Sequence, residues 1–118
     1  PIQIGENFLN VFEMKKSIDA LSSNFVMPDV QRIGGVSGWL KASILAEASD
    51  LDISSHLFPE ISSHLLCASP TKHWLEYVDW ANPILKNPVK VQNGFYTANN
   101  VPGNGIDIDY QSLNDFLI

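Results

Sequence analysis

The stretch Ile53–Glu76, ISSHLFPEISSHLLCASPTKHWLE, decides how the rest of the chain is read. It contains a short β-prone lead-in to His56, a helix opening at Pro59, and a second short run that ends in Glu76. On one continuous helix, His56, Glu60 and His64 would share a face at metal-ligand spacing, and a hydrolytic metal site would follow. Pro59 argues against this. Proline suits the first helical position and biases its predecessor away from right-handed helix, so Phe58 is expected to stay extended and His56 to end a strand or sit in a loop. From Glu60 on, Ile61, Leu65, Leu66 and Ala68 keep helical spacing until Ser69-Pro70 stops it. Within this stretch Cys67 reads as a small buried hydrophobe, His64 as a hydrogen-bonded packing residue, His73 as structural and Trp74 as core.

The same unit recurs upstream. Ile2 and Ile4 form a short strand that ends at the Gly5-Glu6-Asn7 turn, and a helix over about Val11–Leu21 carries Phe12, Met14, Ile18 and Leu21. Ser22-Ser23-Asn24 closes that helix. Phe25-Val26-Met27 is a second strand ending at Pro28-Asp29, followed by a Gly34-Gly35 turn and a helix opened by Ser37 or Gly38. Leu51-Asp52-Ile53 is a third strand, and His73-Trp74-Leu75 a fourth. One ionisable residue stands just beyond each strand: Glu6, Asp29, His56 and Glu76.

These four lie twenty-three, twenty-seven and twenty residues apart. A (β/α)8 barrel allots roughly 30 residues to each unit, somewhat less in lean ones. Right-handed crossovers between parallel strands place every C-terminal strand end on one face, so the four side chains are expected at one mouth. Four strands close only half a barrel and leave two open parallel edges, so the chain is expected to be incomplete. An open doubly wound sheet is the alternative, but Gly5-Glu6-Asn7 lacks the G-x-G-x-x-G phosphate spacing.

The chain has 118 residues and is 45% hydrophobic, enough for the core of one ordinary domain. Thirteen acidic against seven basic residues, with no basic cluster, exclude the electrostatic footprint of a nucleic-acid binder and disfavour adsorption to anionic membranes. There is no apolar run of about 18 residues, so no membrane span is expected. Cys67 is the single cysteine, and a reducing, cytoplasmic setting is the simplest inference.

From Trp80 the character changes. Val89–Gln92, Asn93-Gly94 and Phe95–Thr97 read as a β-hairpin on a type I′ turn, Ile106–Tyr110 alternates like a strand, and Ser112 is expected to cap a short last helix ending in Phe116, Leu117 and Ile118. Asp107 and Asp109 read as solvated acids.

Gly5-Glu6-Asn7, Met27-Pro28-Asp29 with Arg32-Ile33-Gly34-Gly35, Ser54-Ser55-His56-Leu57-Phe58, Glu60-Ile61-Ser62, His64-Leu65-Leu66 and His73-Trp74-Leu75-Glu76 together resemble the mandelate racemase subgroup of the enolase superfamily. The resemblance runs from about Ile2 to Asp79. It implies an α/β fold in which residues 1–79 supply strands five to eight of a (β/α)7β TIM-like barrel, the C-terminal half, and residues 80–118 form a tail packed on a capping domain. It implies Mg2+, with Glu6 as one carboxylate ligand and the remaining ligands outside this chain. Asp29 and His56 look like the Asp-His dyad, His56 being the base toward the α-proton of a hydroxy-acid or acid-sugar substrate. Glu76 looks like the acid that hydrogen-bonds the substrate carboxylate, and Leu57 and Val78 like apolar pocket lining. Arg32 stands where mandelate racemase itself has a lysine. The partners so implied are the missing N-terminal half, the capping domain and, for the full enzyme, further copies in a homo-oligomer.

The residue types suit that chemistry. An α-proton is too weakly acidic for imidazole unless the enediolate is stabilised as it forms, and a divalent cation held by hard oxygen ligands supplies that. A base that works near neutral pH calls for histidine, with a carboxylate behind it to fix the tautomer. The bland reading of Glu6 and Asp29 is as caps of the helices that follow them. Three function classes result: a racemase or acid-sugar dehydratase acting as part of a larger enzyme, a non-catalytic half barrel that binds a partner and is inactive alone, and the hydrolytic site on the Pro59 helix.

Overall fold

The fold was analysed in a computed structural model that describes residues 1–117. The expected helix end at Ile118 lies outside them. Three strands, β1 (Gln3–Ile4), β2 (Phe25–Val26) and β3 (Asp52–Ile53), pair in parallel in the order β1-β2-β3. The register sets Ile4 against Val26 and Val26 against Ile53. Sequential order in a parallel sheet requires a crossover after each strand, and α1 (Val11–Asp19) and α2 (Gly35–Ala48) supply them, with α3 (Pro59–Cys67) following β3. The expected fourth strand lies beside β3 in parallel. Thr71 O accepts from Ile53 N at 2.9 Å, His73 N donates to Ile53 O at 2.8 Å, and Trp74 O accepts from Ser55 N at 2.9 Å. Its regular pairing is confined to the Ile53–Lys72 bridge.

Local chemistry sets the element boundaries. Asn10 caps α1, its Oδ1 accepting from Phe12 N and Glu13 N, both at 3.0 Å. The helix stops at Asp19, two residues short of the expected end, and Leu21 has φ 51°. Helix α2 begins at Gly35 rather than at Ser37 or Gly38, because Gly34 and Gly35 (φ 104° and 70°) turn the chain sharply enough to start it early. Pro59 does open α3, but Phe58 is left-handed (φ 47°, ψ 54°) and not extended, as is Leu57 (φ 52°). Proline disfavours right-handed helix in the residue before it, and here the chain takes the left-handed well to turn tightly from strand into helix.

Met14, Val26, Ile33, Trp39, Ala42, Ala46, Ile53, Leu65 and Leu66 form the core between sheet and helices. The indole of Trp39 donates to Ser69 Oγ at 3.0 Å, and Ser69 Oγ donates to Leu65 O at 2.8 Å, which ties α2 to the end of α3. Trp39→Ala is expected to lower the unfolding free energy of the protein carrying this chain by about 3–5 kcal/mol, read as a fall in the urea midpoint.

Three placements differ from expectation. Cys67 is exposed, because Ser62, Leu65, Leu66 and Ser69 take the inward face and Cys67 falls at the outer edge of the last turn. Trp74 is 67% exposed, while the next residue, Leu75, packs against the core. His64 Nε2 is buried without a hydrogen-bond partner among the described residues. His73 stacks on Phe25 with ring centroids 4.7 Å apart, and its Nδ1 lies 3.3 Å from Ser54 Oγ.

In the tail, Gln92 and Phe95 exchange two backbone hydrogen bonds of 2.9 Å around Asn93 and Gly94, both at positive φ as a type I′ turn requires. The pairing goes no further than that bridge. Ile108 bridges Leu85, and Lys86 pairs with Asp107 at 3.0 Å. The last helix, α4 (Tyr110–Leu113), is capped by Asp109, not by Ser112: Asp109 Oδ1 accepts from Gln111 N and Ser112 N. Ser112 lies inside the helix and donates its hydroxyl to Asp109 Oδ2 at 3.0 Å, and these bonds hold the Asp109 carboxyl below its ordinary pKa.

Candidate active site

Glu6, Asp29, His56 and Glu76 leave four neighbouring strand ends and meet around the His56 imidazole. Gly5 makes the first approach possible. Its φ is 144°, and a Cβ there would stand 2.8 Å from Met27 N and 2.9 Å from Met27 C, so only glycine lets the end of β1 run this close to β2 and deliver Glu6.

His56 is the hub. Its backbone extends the sheet through a parallel bridge to Asp29, so the two side chains emerge side by side. Its Nδ1 is 2.9 Å from Asp29 Oδ2, its Nε2 is 3.1 Å from Glu6 Oε2 and 4.0 Å from Glu76 Oε2. Asp29 is only 2% exposed. A carboxylate accepts and does not donate, so Asp29 holds the imidazole hydrogen at Nδ1 and leaves Nε2 as the working atom.

Asp29 does not cap α2, whose N-cap Gly34 takes no side-chain bond; its carboxylate instead braces the turn at 29–34 and reaches His56. Oδ1 accepts from Gln31 N at 2.7 Å and Arg32 N at 3.1 Å, while Oδ2 takes His56, so each oxygen has its own task. The backbone bonds fix the carboxylate before the histidine arrives. Glu6 likewise caps nothing: α1 is capped by Asn10, and Glu6 Oε1 accepts from Asn7 Nδ2 at 3.2 Å. Arg32 reaches across from the β2 loop and donates to Asn7 Oδ1 at 2.6 Å.

Glu76 is held from both ends. Its backbone N–H donates to Ser55 Oγ at 3.0 Å, and its Oε2 accepts from Leu57 N at 2.8 Å. That second bond depends on the left-handed Leu57-Phe58 turn, a strain of roughly 1–3 kcal/mol per residue in a non-glycine position, stored directly beside His56. Ser55, Asn7 and the strained turn were not singled out from the sequence as parts of the site. The Ser54-Ser55 doublet ahead of His56 is the one local sign, since small hydroxyl side chains in an otherwise apolar strand need buried partners. Leu57 and Val78 lie together on a cavity of about 120 Å³ with Phe58, Pro59 and Trp80.

His56 precedes α3, so His56, Glu60 and His64 do not share a helix face. Among the described residues no group of three His, Cys, Asp or Glu side chains is arranged to hold a metal ion. Glu6 is suited to be one ligand of a larger set. It is a hard-oxygen donor, its side chain is 51% exposed at the mouth, and only its Oε1 is taken by a side-chain hydrogen bond, from Asn7, among the described residues. No described helix is long and apolar enough to cross a membrane.

Residues 1–112 match the family model described as enolase C-terminal domain-like. The L-talarate/galactarate dehydratase of Salmonella typhimurium is 31% identical over 112 residues, covering 95% of this chain and 28% of that protein. The 3,6-anhydro-alpha-L-galactonate cycloisomerase of Streptomyces coelicolor is 28% identical over 110 residues, covering 92% of this chain and 30% of that one. Among solved structures, an enolase from Bradyrhizobium complexed with magnesium and mandelic acid is 39% identical, with a TM-score of 0.93 over 98% of this chain and 32% of that one. L-talarate dehydratase from Polaromonas, complexed with Mg and L-glucarate, is 29% identical with a TM-score of 0.88, over 97% and 32%. The chain therefore spans less than a third of the length of the curated relatives it matches here.

Proposed function

The chain belongs to the enolase C-terminal domain-like family, and on that premise we propose that it is the strand-five-to-eight half of a (β/α)7β barrel in a magnesium-dependent enzyme that removes the α-proton of a hydroxy-acid or acid sugar. The observation that carries this reading is the His56 imidazole, fixed by buried Asp29 at Nδ1 and facing two carboxylates with Nε2. Residues 80–118 are the segment offered to the capping domain.

In the proposed reaction His56 Nε2 takes the α-proton. The imidazolium that results lies 2.9 Å from a carboxylate that is almost wholly removed from water, where an ion pair is much stronger than in solution. Because the backbone bonds of Gln31 and Arg32 already hold Asp29, no reorganisation is needed when that charge appears. Glu6, steadied by Asn7 and through it by Arg32, would be this chain's ligand to the cation. Magnesium, when bound, supplies the positive charge that offsets the charge a carboxylate substrate gains as its proton leaves. Glu76 hydrogen-bonds the substrate carboxylate, and Leu57 with Val78 forms the apolar wall of the pocket.

Racemisation and dehydration share this first step. A racemase needs a second base on the opposite face of the substrate, whereas a dehydratase needs only an acid for the leaving hydroxyl. Proton exchange and product analysis on a panel of acid sugars and aromatic hydroxy-acids tests the proposal. Substrate-dependent deuterium uptake that requires magnesium is expected, and its absence from every member of both classes would overturn the reading.

Asp29→Asn tests the dyad. An amide can donate to Nδ1 and stabilise the wrong tautomer, and it cannot balance an imidazolium. The exchange rate is expected to fall by about 10²–10⁴ with the substrate KM little changed. A parental rate and an unaltered pH profile would show that Asp29 serves only to brace the turn at Gln31 and Arg32.

A further inference from the structure

The segment that carries Glu76 holds one residue more than the chain it pairs with. At its start the pairing is regular: Ile53 N donates to Thr71 O at 2.9 Å and His73 N to Ile53 O at 2.8 Å, the two bonds of the parallel Ile53–Lys72 bridge. Continued in that register, Ser55 N would donate to His73 O. It donates instead to Trp74 O at 2.9 Å. An advance of two residues on the β3 side is thus matched by three on the other, which is the count of a β-bulge with Trp74 as the extra residue. Trp74 N donates to Ser54 Oγ at 3.3 Å rather than to a backbone carbonyl. Glu76 N, which the shifted register would send to Ser55 O, donates to Ser55 Oγ at 3.0 Å. Both serines are 1% exposed.

The extra residue changes the face that Glu76 occupies. Parallel bridge partners point to the same side, so Lys72 lies with Ile53 on the helix side and His73 on the other, where its ring stacks on Phe25. Strict alternation would return Leu75 to the side of His73 and send Glu76 toward the helices, away from His56. The observed order is the reverse. Leu75 packs against the core, and Glu76 places Oε2 4.0 Å from His56 Nε2 and 2.8 Å from Leu57 N. With Trp74 taken up by the bulge, residues 73 and 76 share a face, and a carboxyl that plain pleating would turn away reaches the imidazole. The Ser54 hydroxyl accepts from Trp74 N and keeps its own hydrogen for His73 Nδ1, 3.3 Å away, so one side chain holds both residues about which the strand shifts.

We propose that the bulge at Trp74 aims Glu76 into the site and that Ser54 is the positioning residue that holds it, by supplying the acceptor the shifted ladder lacks. Bulges beside active sites re-aim side chains in this way. Ser54 acts through Glu76 and has no contact with His56 or Glu6 of its own. The inference rests on the reading of Glu76 as the group that binds the substrate carboxylate, and the test separates the two.

The test is a double-variant cycle in the whole protein that carries this chain, read as α-proton exchange with the panel of acid sugars and aromatic hydroxy-acids. Ser54→Ala leaves the Trp74 N–H without its acceptor, and substrate KM is expected to rise about tenfold with kcat little changed. Magnesium affinity by calorimetry stays parental, since Glu6 is untouched. Glu76→Ala is expected to raise KM further. In that background Ser54→Ala is expected to change KM by less than about twofold, because a residue that acts through Glu76 has nothing left to position. Hydrogen exchange resolved to single amides gives a readout free of activity: the Trp74 and Glu76 amides are expected to exchange at least about tenfold faster in Ser54→Ala. If that variant does not fold by circular dichroism, Ser54→Cys, similar in size but a weak acceptor, carries the same cycle. A raised KM in Glu76→Ala with additive effects of the two changes, or unaltered amide exchange in the Ser54 variant, overturns this inference alone. A parental KM in Glu76→Ala, or no exchange with any panel member, overturns the reading of Glu76 and this inference with it.

Discussion

His56→Asn in the whole protein is expected to abolish exchange of the substrate α-proton with deuterated solvent, a loss of at least the 10²–10⁴ typical of a positioned base. Asparagine keeps a polar side chain of similar reach toward Asp29, so the buried carboxylate retains a donor and the fold should survive. What it lacks is a nitrogen lone pair that can hold a proton near neutral pH. Glu6 is untouched, and magnesium affinity measured by calorimetry is expected to stay within a few-fold of the parent. That pairing of results separates a lost base from a damaged site. Exchange at the parental rate for both enantiomers of the substrate would remove His56 from the mechanism, and a parallel loss of magnesium binding would recast it as a structural support for Glu6.

The second large effect concerns the 118-residue chain expressed by itself. It is expected neither to turn over substrate nor to bind magnesium in the micromolar range. One carboxylate, Glu6, leaves most of an octahedral shell to water, and magnesium sheds water reluctantly without further carboxylates. It is also expected to self-associate. Among the described residues the outer edges of β1 and of the Thr71–Trp74 segment have no strand partner, and Ile2, Leu9 and Trp74 are 60% exposed or more. Titration calorimetry and light scattering check the two claims. A soluble monomer with a micromolar magnesium site would overturn them together with the half-barrel proposal.

Much of the fold was legible because its signals are local. Gly5 and the Gly34-Gly35 pair mark backbone positions that other residues tolerate poorly, Pro59 marks a helix start, and the recurrence of strand, acid or histidine, and helix marks parallel crossovers. Helix limits were read less well. Ser37 or Gly38 is the expected opening of α2, and the observed start at Gly35 has no side-chain signature, because it is set by two glycines at positive φ. Ser112 is expected as the cap and Asp109 as a solvated acid; the two lie three residues apart, and which one accepts the free N–H groups depends on where the preceding Leu85–Ile108 bridge releases the chain.

The sequence by itself determined that Glu6, Asp29, His56 and Glu76 stand at strand ends on one face, because strand-helix alternation allows one handedness of crossover. It also determined that His56 is not on the Pro59 helix. Only the tertiary structure decided how those residues touch. Asp29 braces the following turn and also pairs with His56, because its carboxylate has two oxygens and the Asp29–His56 bridge aligns one of them with Nδ1. Glu76 is locked to Leu57 N because the chain accepts two left-handed residues before Pro59, a conformation that local preference disfavours. Exposure was settled the same way. Cys67 and Trp74 are apolar enough to be buried, yet burial depends on what stands opposite a side chain, and that partner comes from elsewhere in the chain.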